Sequence, residues 1–341
     1  MADGARASGY RADFRLIVDD VDYSPTIRDR LVSLALTDKR GGEADQLDLV
    51  LDDADGRTPL PPRGATARVS LGWLRGPDVP VGLVDKGSYV IDAVDWGGPP
   101  DQVTIRGRSA DLTSTFRVRR EAAHRSTTLG AIAREVAARH KLQAVVAPEL
   151  ADVEVPIVAQ HQQSDMALLR RLGRDRDAIA QVKAGRLILS PIGRLQATSG
   201  AALPPLDLRR DQVGTGYRYS LVDRSADAGV EARWEDLDAG ERRTVRAGGG
   251  EGGKTPHRLR RVYHSEADAR AAAEADASRR KRAEATMELP LPLGRPDIYP
   301  DRPVTLSGFK REIDMTPWLI AEVEHTLDGQ GLRSKLKLER R

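Results

Sequence analysis

The stretch Y-V-I-D-A-V-D, Tyr89–Asp95, decides the reading of this chain, because W-L-I-A-E-V-E, Trp318–Glu324, repeats its pattern near the other end. Ile91 and Val94 stand as far apart as Ile320 and Val323, and Val103 and Leu332 then follow at the same distance. Alternating apolar positions put one set of side chains on one face, as a half-buried strand requires. Each copy is preceded by a second strand pattern, A-R-V-S-L-G-W at Ala67–Trp73 and P-V-T-L-S-G-F at Pro303–Phe309. Further upstream, Gln46–Leu51 matches Thr286–Leu291 in pattern. The order strand, turn, strand, loop, strand, hairpin, strand thus recurs at the two ends. Coincidence is the competing reading, since alternating strands of Val, Leu and Ile resemble one another. If the echo is real, two copies of one antiparallel β-barrel flank an insertion. Three such chains would then present six similar units, because equivalent surfaces can make equivalent contacts.

Outward from these copies, Phe14–Asp19, Leu31–Leu36 and Val103–Arg108 also alternate. Turn signals separate them at Lys39–Gly42, Asp52–Gly56 and Gly97–Pro100. The middle changes character. Thr127 and Thr128 can cap a helix with Leu129, Ile132, Ala133, Val136 and Ala137 inside, and Ser164 opens another around Met166, Leu168, Leu169 and Leu172. A hairpin, Ala178–Lys183 with Arg186–Ser190, follows. Beyond it, Tyr217–Val222, Glu231–Trp234 and Arg242–Val245 read as strands, Gly248–Gly253 as a flexible loop, and Ser265 as the cap of a long helix, Glu266–Ala283. The expected fold is α+β and mainly β. An N-terminal barrel domain spans 1–114, an α+β middle domain 115–205, and a C-terminal barrel domain with one long helix 206–341.

Composition narrows the function. Hydrophobic residues make up 40% of the 341, enough for a packed interior, but aromatics only 4%, so Val, Leu, Ile and Ala must fill it. The absence of cysteine excludes disulfides, thiolate metal sites and cysteine nucleophiles. It also favours assembly in the cytoplasm. No apolar run reaches membrane-spanning length, and Met1–Tyr10 lacks the apolar core of a secretory signal. The net charge of +3 is spread over 54 basic and 51 acidic side chains, which gives no basic face for nucleic acid.

Several runs together carry a resemblance. F-R-L-I-V-D-D-V-D from Phe14, T-I-R-D-R-L-V-S-L-A-L-T-D-K-R-G-G-E-A-D-Q-L-D-L-V-L-D-D from Thr26 and L-P-P-R-G-A-T-A-R-V-S-L-G-W from Leu60 come first. D-K-G-S-Y-V-I-D-A-V-D, T-I-R-G-R-S-A-D-L, S-D-M-A-L-L-R-R-L-G-R-D and V-K-A-G-R-L-I-L follow in order. This series resembles the late control protein D family of contractile-tailed phages, most densely from Phe14 to Pro205. The resemblance implies tail-tube-like barrels and a structural baseplate hub of a phage tail or tailocin. It implies a homotrimer, a symmetry adaptor joining a hexameric tail tube protein to a trimeric tail spike protein. Tape measure and other baseplate proteins would be further partners, and DNA would only pass through the channel. The place implied is the virion or a tail-like particle, assembled in the host cytoplasm without membrane insertion. The sequence ends at Arg341 just after a strand pattern, so the spike is expected to be a separate protein. The alternatives are a type VI secretion component like the N-terminal part of VgrG spike proteins, a tail-associated peptidoglycan hydrolase, and a DNA-binding factor.

No residue is singled out as catalytic, cofactor-binding or metal-ligating. The six histidines, 124, 140, 161, 257, 264 and 325, show no ligand spacing, and no G-x-S-x-G occurs. Asp52, Asp53 and Asp55 beside Gly56 lack the terminal Glu of a calcium loop and read as a solvated turn. Gly248, Gly253, Lys254 and Thr255 match a phosphate loop in letters, but Pro256 follows and no helix starts there. The basic runs Arg117–Arg120 and Arg279–Arg282 lack interleaved aromatics. The first suits a subunit contact and the second the end of a helix.

Overall fold

Leucine at every second position makes the strand Gln46–Asp52: Leu47, Leu49 and Leu51 are buried while Gln46 and Asp52 are exposed. Each such leucine contributes about 1.5–3 kcal/mol on leaving water. The computed structural model describes residues 9–41, 44–109, 116, 118–183, 185–196, 200–222, 227–236, 239–249 and 255–341.

The N-terminal part holds β1 (Arg11–Val18), β2 (Val21–Asp22), β3 (Leu31–Lys39), β4 (Gln46–Asp52), β5 (Thr66–Arg75), β6 (Gly82–Gly97) and β7 (Gln102–Ser109), with a one-turn helix α1 (Ser24–Ile27). Their inward residues form one core around Phe14, Leu36, Leu71 and Ile91.

The middle part holds β8 (Arg119–Thr128), α2 (Leu129–Arg139), β9 (Gln143–Val146), α3 (Pro148–Ala151), β10 (Glu154–Ser164), α4 (Asp165–Arg174), β11 (Ala178–Lys183) and β12 (Arg186–Pro191). Both expected caps form. Thr128 Oγ1 accepts from the Ala131 amide at 3.1 Å, and Ser164 Oγ accepts from the Ala167 amide at 3.3 Å. Thr127 belongs to β8 instead. The three helices and strands β9 to β12 enclose a second core.

The remaining strands are β13 (Leu206–Arg209), β14 (Arg218–Leu221), β15 (Asp227–Asp236), β16 (Glu241–Ala247), β17 (Thr255–Tyr263), β18 (Ala285–Leu291), β19 (Pro303–Ser307), β20 (Trp318–Asp328) and β21 (Gly331–Arg340). The long helix α5 (Glu266–Arg282) starts at Ser265, whose Oγ accepts from the Asp268 amide, and α6 (Arg311–Asp314) is a single turn. A third core lies under β18–β21. A fourth core was not foreseen: α5 packs its alanines on a separate three-stranded sheet, β16-β15-β17. Of the glycine run, Gly250 to Gly253 lie outside the described residues, as does Lys254.

The fold is mainly β. One thirteen-stranded sheet runs β14-β18-β21-β20-β3-β4-β7-β6-β5-β1-β2, with β19 on β20 and β13 on β19. It contains the same ladder twice. β4, β7, β6 and β5 are antiparallel neighbours in that order, and so are β18, β21, β20 and β19. The match extends to an irregularity. The β6–β7 ladder skips one residue between Ile91 and Ala93, and the β20–β21 ladder skips one between Ile320 and Glu322. The main-chain bonds beside these bulges agree. Gly64 N–H donates to Ile91 O at 2.8 Å as Asp301 N–H donates to Ile320 O at 2.8 Å, and Ile91 and Ile320 donate in turn to Ala65 O and Arg302 O. A bulge is a specific device that bends a strand, so its recurrence makes the duplication structural.

The ladders correct two details of the echo. Ala67 corresponds to Val304, one residue beyond the letter match, because Thr66 pairs with Val90 as Pro303 pairs with Leu319. Val103 corresponds to Ser334 rather than Leu332, because Trp96 pairs with Val103 and His325 with Ser334. The cause is the turn. Four residues close β6–β7 after Gly97, but two close β20–β21 after Asp328. The slip is even, so the inward face is kept.

Candidate functional site: the joint between the two halves

The two copies meet along β3 and β20, which pair antiparallel from Glu322 opposite Lys39 to Asp328 opposite Ser33. His325 faces Leu36 and Leu327 faces Leu34, all buried. The tip of the β20–β21 hairpin passes beyond its own core: Leu327 and Leu332 complete the N-terminal core. Trp73 Nε1–H of β5 donates to Gly294 O at 2.8 Å, which ties the N-terminal half to the segment between β18 and β19.

Charged groups line a cleft of about 670 Å³ beside this joint. Lys86 Nζ donates to Pro296 O at 3.2 Å and Ile298 O at 3.4 Å, and lies 3.2 Å from His325 Nε2. His325 Nδ1 lies 2.8 Å from Ser334 Oγ, which itself accepts from the Arg295 amide. Burial lowers the Lys86 amine, and burial together with the Lys86 charge holds the His325 imidazole down at about 3. His325 is therefore neutral, with Nδ1–H donating to Ser334 and Nε2 accepting from Lys86. Asp38 meets Lys183 of the middle part at 3.3 Å, and burial with the neighbouring Asp38 carboxylate pushes Asp45 up to about 7. Arg282, at the end of α5, pairs with both Asp177 and Glu339, and Arg40 reaches Glu339 at 2.6 Å. These pairs link four stretches of chain that are far apart in sequence.

His325 makes the joint pH-sensitive in a definite direction. Its folded value lies below the unfolded one near 6.5, so its contribution is complete above pH 6.5 and shrinks as pH falls towards 3. Wild type should lose up to about 1.4 kcal/mol per pH unit relative to His325→Gln across that window. Urea melts of both proteins at pH 7 and pH 5 measure it, and equal pH slopes would refute the neutral assignment.

The histidines are dispersed. His140 stacks on Phe116 at 3.6 Å and binds Asp165, His161 pairs with Glu121, and His257 lies 3.9 Å from Asp276. Among the described residues no three His, Asp or Glu side chains are placed to hold a metal. The Asp52–Gly56 carboxylates are satisfied by neighbouring protein groups: Asp53, which is buried, accepts from the Thr58 amide and Trp96 Nε1–H, and Asp55 takes both arms of Arg30. The basic runs are also engaged. Arg120 contacts Asp165, while Arg279 and Arg280 contact Asp276; Arg117 lies outside the described residues. Sequence reading missed the joint itself, whose only trace was the apolar alternation of Leu34, Leu36 and Leu327.

A mainly β chain with a duplicated ladder presents the surfaces of two similar halves joined edge to edge. The family model for the phage tail baseplate hub (GPD) matches residues 44–331, and the chain belongs to that family. It is 37% identical to the probable baseplate hub protein of Escherichia phage P2, over 96% of this chain and 92% of that one. It is 35% identical to the corresponding protein of Escherichia phage 186, with the same coverage. Among solved structures, the fold is similar to a tail protein from Neisseria meningitidis MC58, with a TM-score of 0.69 at 13% identity over 97% of both chains. An Escherichia coli component of the type VI secretion system is similar with a TM-score of 0.57 at 9% identity, over 98% of this chain and 76% of that one. The chain is a baseplate hub of a contractile phage tail, and its place is the virion. The family is a structural one, and among the described residues no helix is long and apolar enough to cross a membrane.

Proposed function

We propose that three copies of this chain form a ring in which six similar halves meet the hexameric tail tube on one side and a trimeric spike on the other. The work is mechanical: the ring carries the thrust of contraction to the spike, lets DNA pass through its channel, and catalyses nothing. Tape measure and other baseplate proteins are its remaining partners. The chain divides for this purpose into 1–114, 115–205 and 206–341. The observation that carries the reading is the recurrence of one ladder, bulge included, in both halves. A chain that offers two equivalent surfaces lets a threefold assembly match a sixfold one. The phage identities at 37% and 35% favour the phage-tail reading over the type VI alternative.

The test is reconstitution with the tube and spike proteins of the same particle. The full chain is expected to co-purify with the spike at equal copy number and to cap one end of assembled tubes. A chain that binds neither, or one that clears peptidoglycan in a gel overlay, would overturn this function.

A further inference from the structure

The internal joint is a template for an external one. β3 lies beside β4, and β14 lies beside β18 in the equivalent place, with Leu36 matching Tyr219. In the N-terminal copy the partner of β3 is β20. In the C-terminal copy β14 is the end of the sheet, with only β18 beside it. The counterpart of β20 is β6. Its residues up to Ile91 bond to β5 and the Gly64–Ala65 segment, but from Ala93 to Gly97 only β7 lies alongside. Two of the open strand edges among the described residues therefore match the two strands that pair inside the chain.

Both edges expose large apolar side chains, although Asp95 and the bulge between Ile91 and Ala93 lie on the β6 edge and Arg218 lies on the β14 edge. Trp96 is 59% exposed, Leu221 66% and Val222 49%. The position matching Trp96 is His325, which the internal joint buries completely. We infer that β6 at Ala93–Gly97 pairs antiparallel with β14 at Arg218–Val222 of a second copy, with Val94 opposite Leu221, Asp95 opposite Ser220 and Trp96 opposite Tyr219. The register is the β3–β20 register carried over residue by residue. Such a contact is head-to-tail, so it ends only when a ring closes. The inference rests on the ring proposed above and adds the strands and the register that make it.

The chain has no cysteine, so paired substitutions supply the only thiols. Two pairs are made, D95C with S220C and V94C with L221C, because hydrogen-bonded and open pairs alternate and one of the two has the spacing a disulfide needs. Native mass is measured first, then the protein is oxidised mildly and run without reductant. At least one pair is expected to convert most of the protein to disulfide-linked dimer and closed trimer, while each single variant stays at chain mass. V94C with S220C, slipped by one residue onto opposite faces, should link at least tenfold less. A trimer in which neither pair links, or in which the slipped pair links equally, overturns this joint and leaves the ring standing. A chain that remains monomeric at every concentration overturns both.

Discussion

Replacing Asp165 with alanine is expected to cost about 3–5 kcal/mol of stability, because it removes one member of a buried ionic network and leaves the others uncompensated. Asp165 is 1% exposed and sits at the start of α4. Arg139 Nη1 donates to both of its oxygens at 2.9 Å, Gln160 Nε2 donates to Oδ1 at 2.9 Å, and His140 Nε2 and Arg120 Nε approach Oδ2 at 2.9 and 3.2 Å. Burial alone would raise this carboxyl. The bonds from Gln160, Arg139 and His140 prevail and hold it at about 2. Its stabilisation is thus present above the unfolded value near 3.9 and is lost as pH falls towards 2. Asp165 joins β8, α2, β10 and α4, so the loss should unfold the middle part cooperatively. Asp165→Asn should cost less, since an amide keeps the acceptor but not the charge. Thermal melts of the three proteins at pH 7 rank them, and an alanine variant within 1 kcal/mol of wild type would show the network to be dispensable.

Trp318→Ala should cost a similar amount, about 3–5 kcal/mol, for a different reason: it opens a cavity. Trp318 is 1% exposed, stands edge-on to Tyr219 at 6.2 Å, and donates from Nε1 to Ile313 O at 3.0 Å. Its counterpart in the first copy is Tyr89, also buried, which donates from Oη to Lys86 O at 3.2 Å. Each half thus anchors its central strand with an aromatic side chain bonded to a nearby carbonyl. Trp96→Ala provides the contrast. Trp96 is mostly exposed in the single chain and makes one hydrogen bond there, from Nε1–H to Asp53, so its loss should cost the separated chain about 1–2 kcal/mol, less than the loss of Trp318, but should weaken association. Calorimetry with sedimentation separates the two effects. A Trp96→Ala chain that is as destabilised as Trp318→Ala would place Trp96 in the fold rather than at an interface.

The strands that were legible in the sequence are those with one dry face. β4 and β18 bury Leu47, Leu49, Leu51 and Met287, Leu289, Leu291 at every second position, so period two is written in their letters. β8 and β10 were not legible. β8 buries only His124 along Arg119–Thr128, and its alternation of Glu, Ala, Arg and Thr carries no apolar signal. β17 was hidden for the same reason, with arginines on both sides of Leu259. α5 was found from its cap at Ser265, yet its alanines do not say which sheet they meet, so the separate β15–β17 sheet went unseen. The echo between the ends was visible as pattern, but register was not. Letters aligned Val103 with Leu332, whereas turn length decides the pairing and moves it by two. The joint could not be read from residue types at all, because Trp96 and His325 share one place in the duplicated ladder and differ entirely in character.

Imaging the purified protein end-on by electron microscopy, without imposed symmetry, tests most directly whether a doubled β-ladder lets three chains stand in for six. The account predicts a closed particle of three chains whose inner wall shows six near-equal lobes around a channel. Particles of one or two chains, or a threefold particle with only three inner lobes, would contradict it.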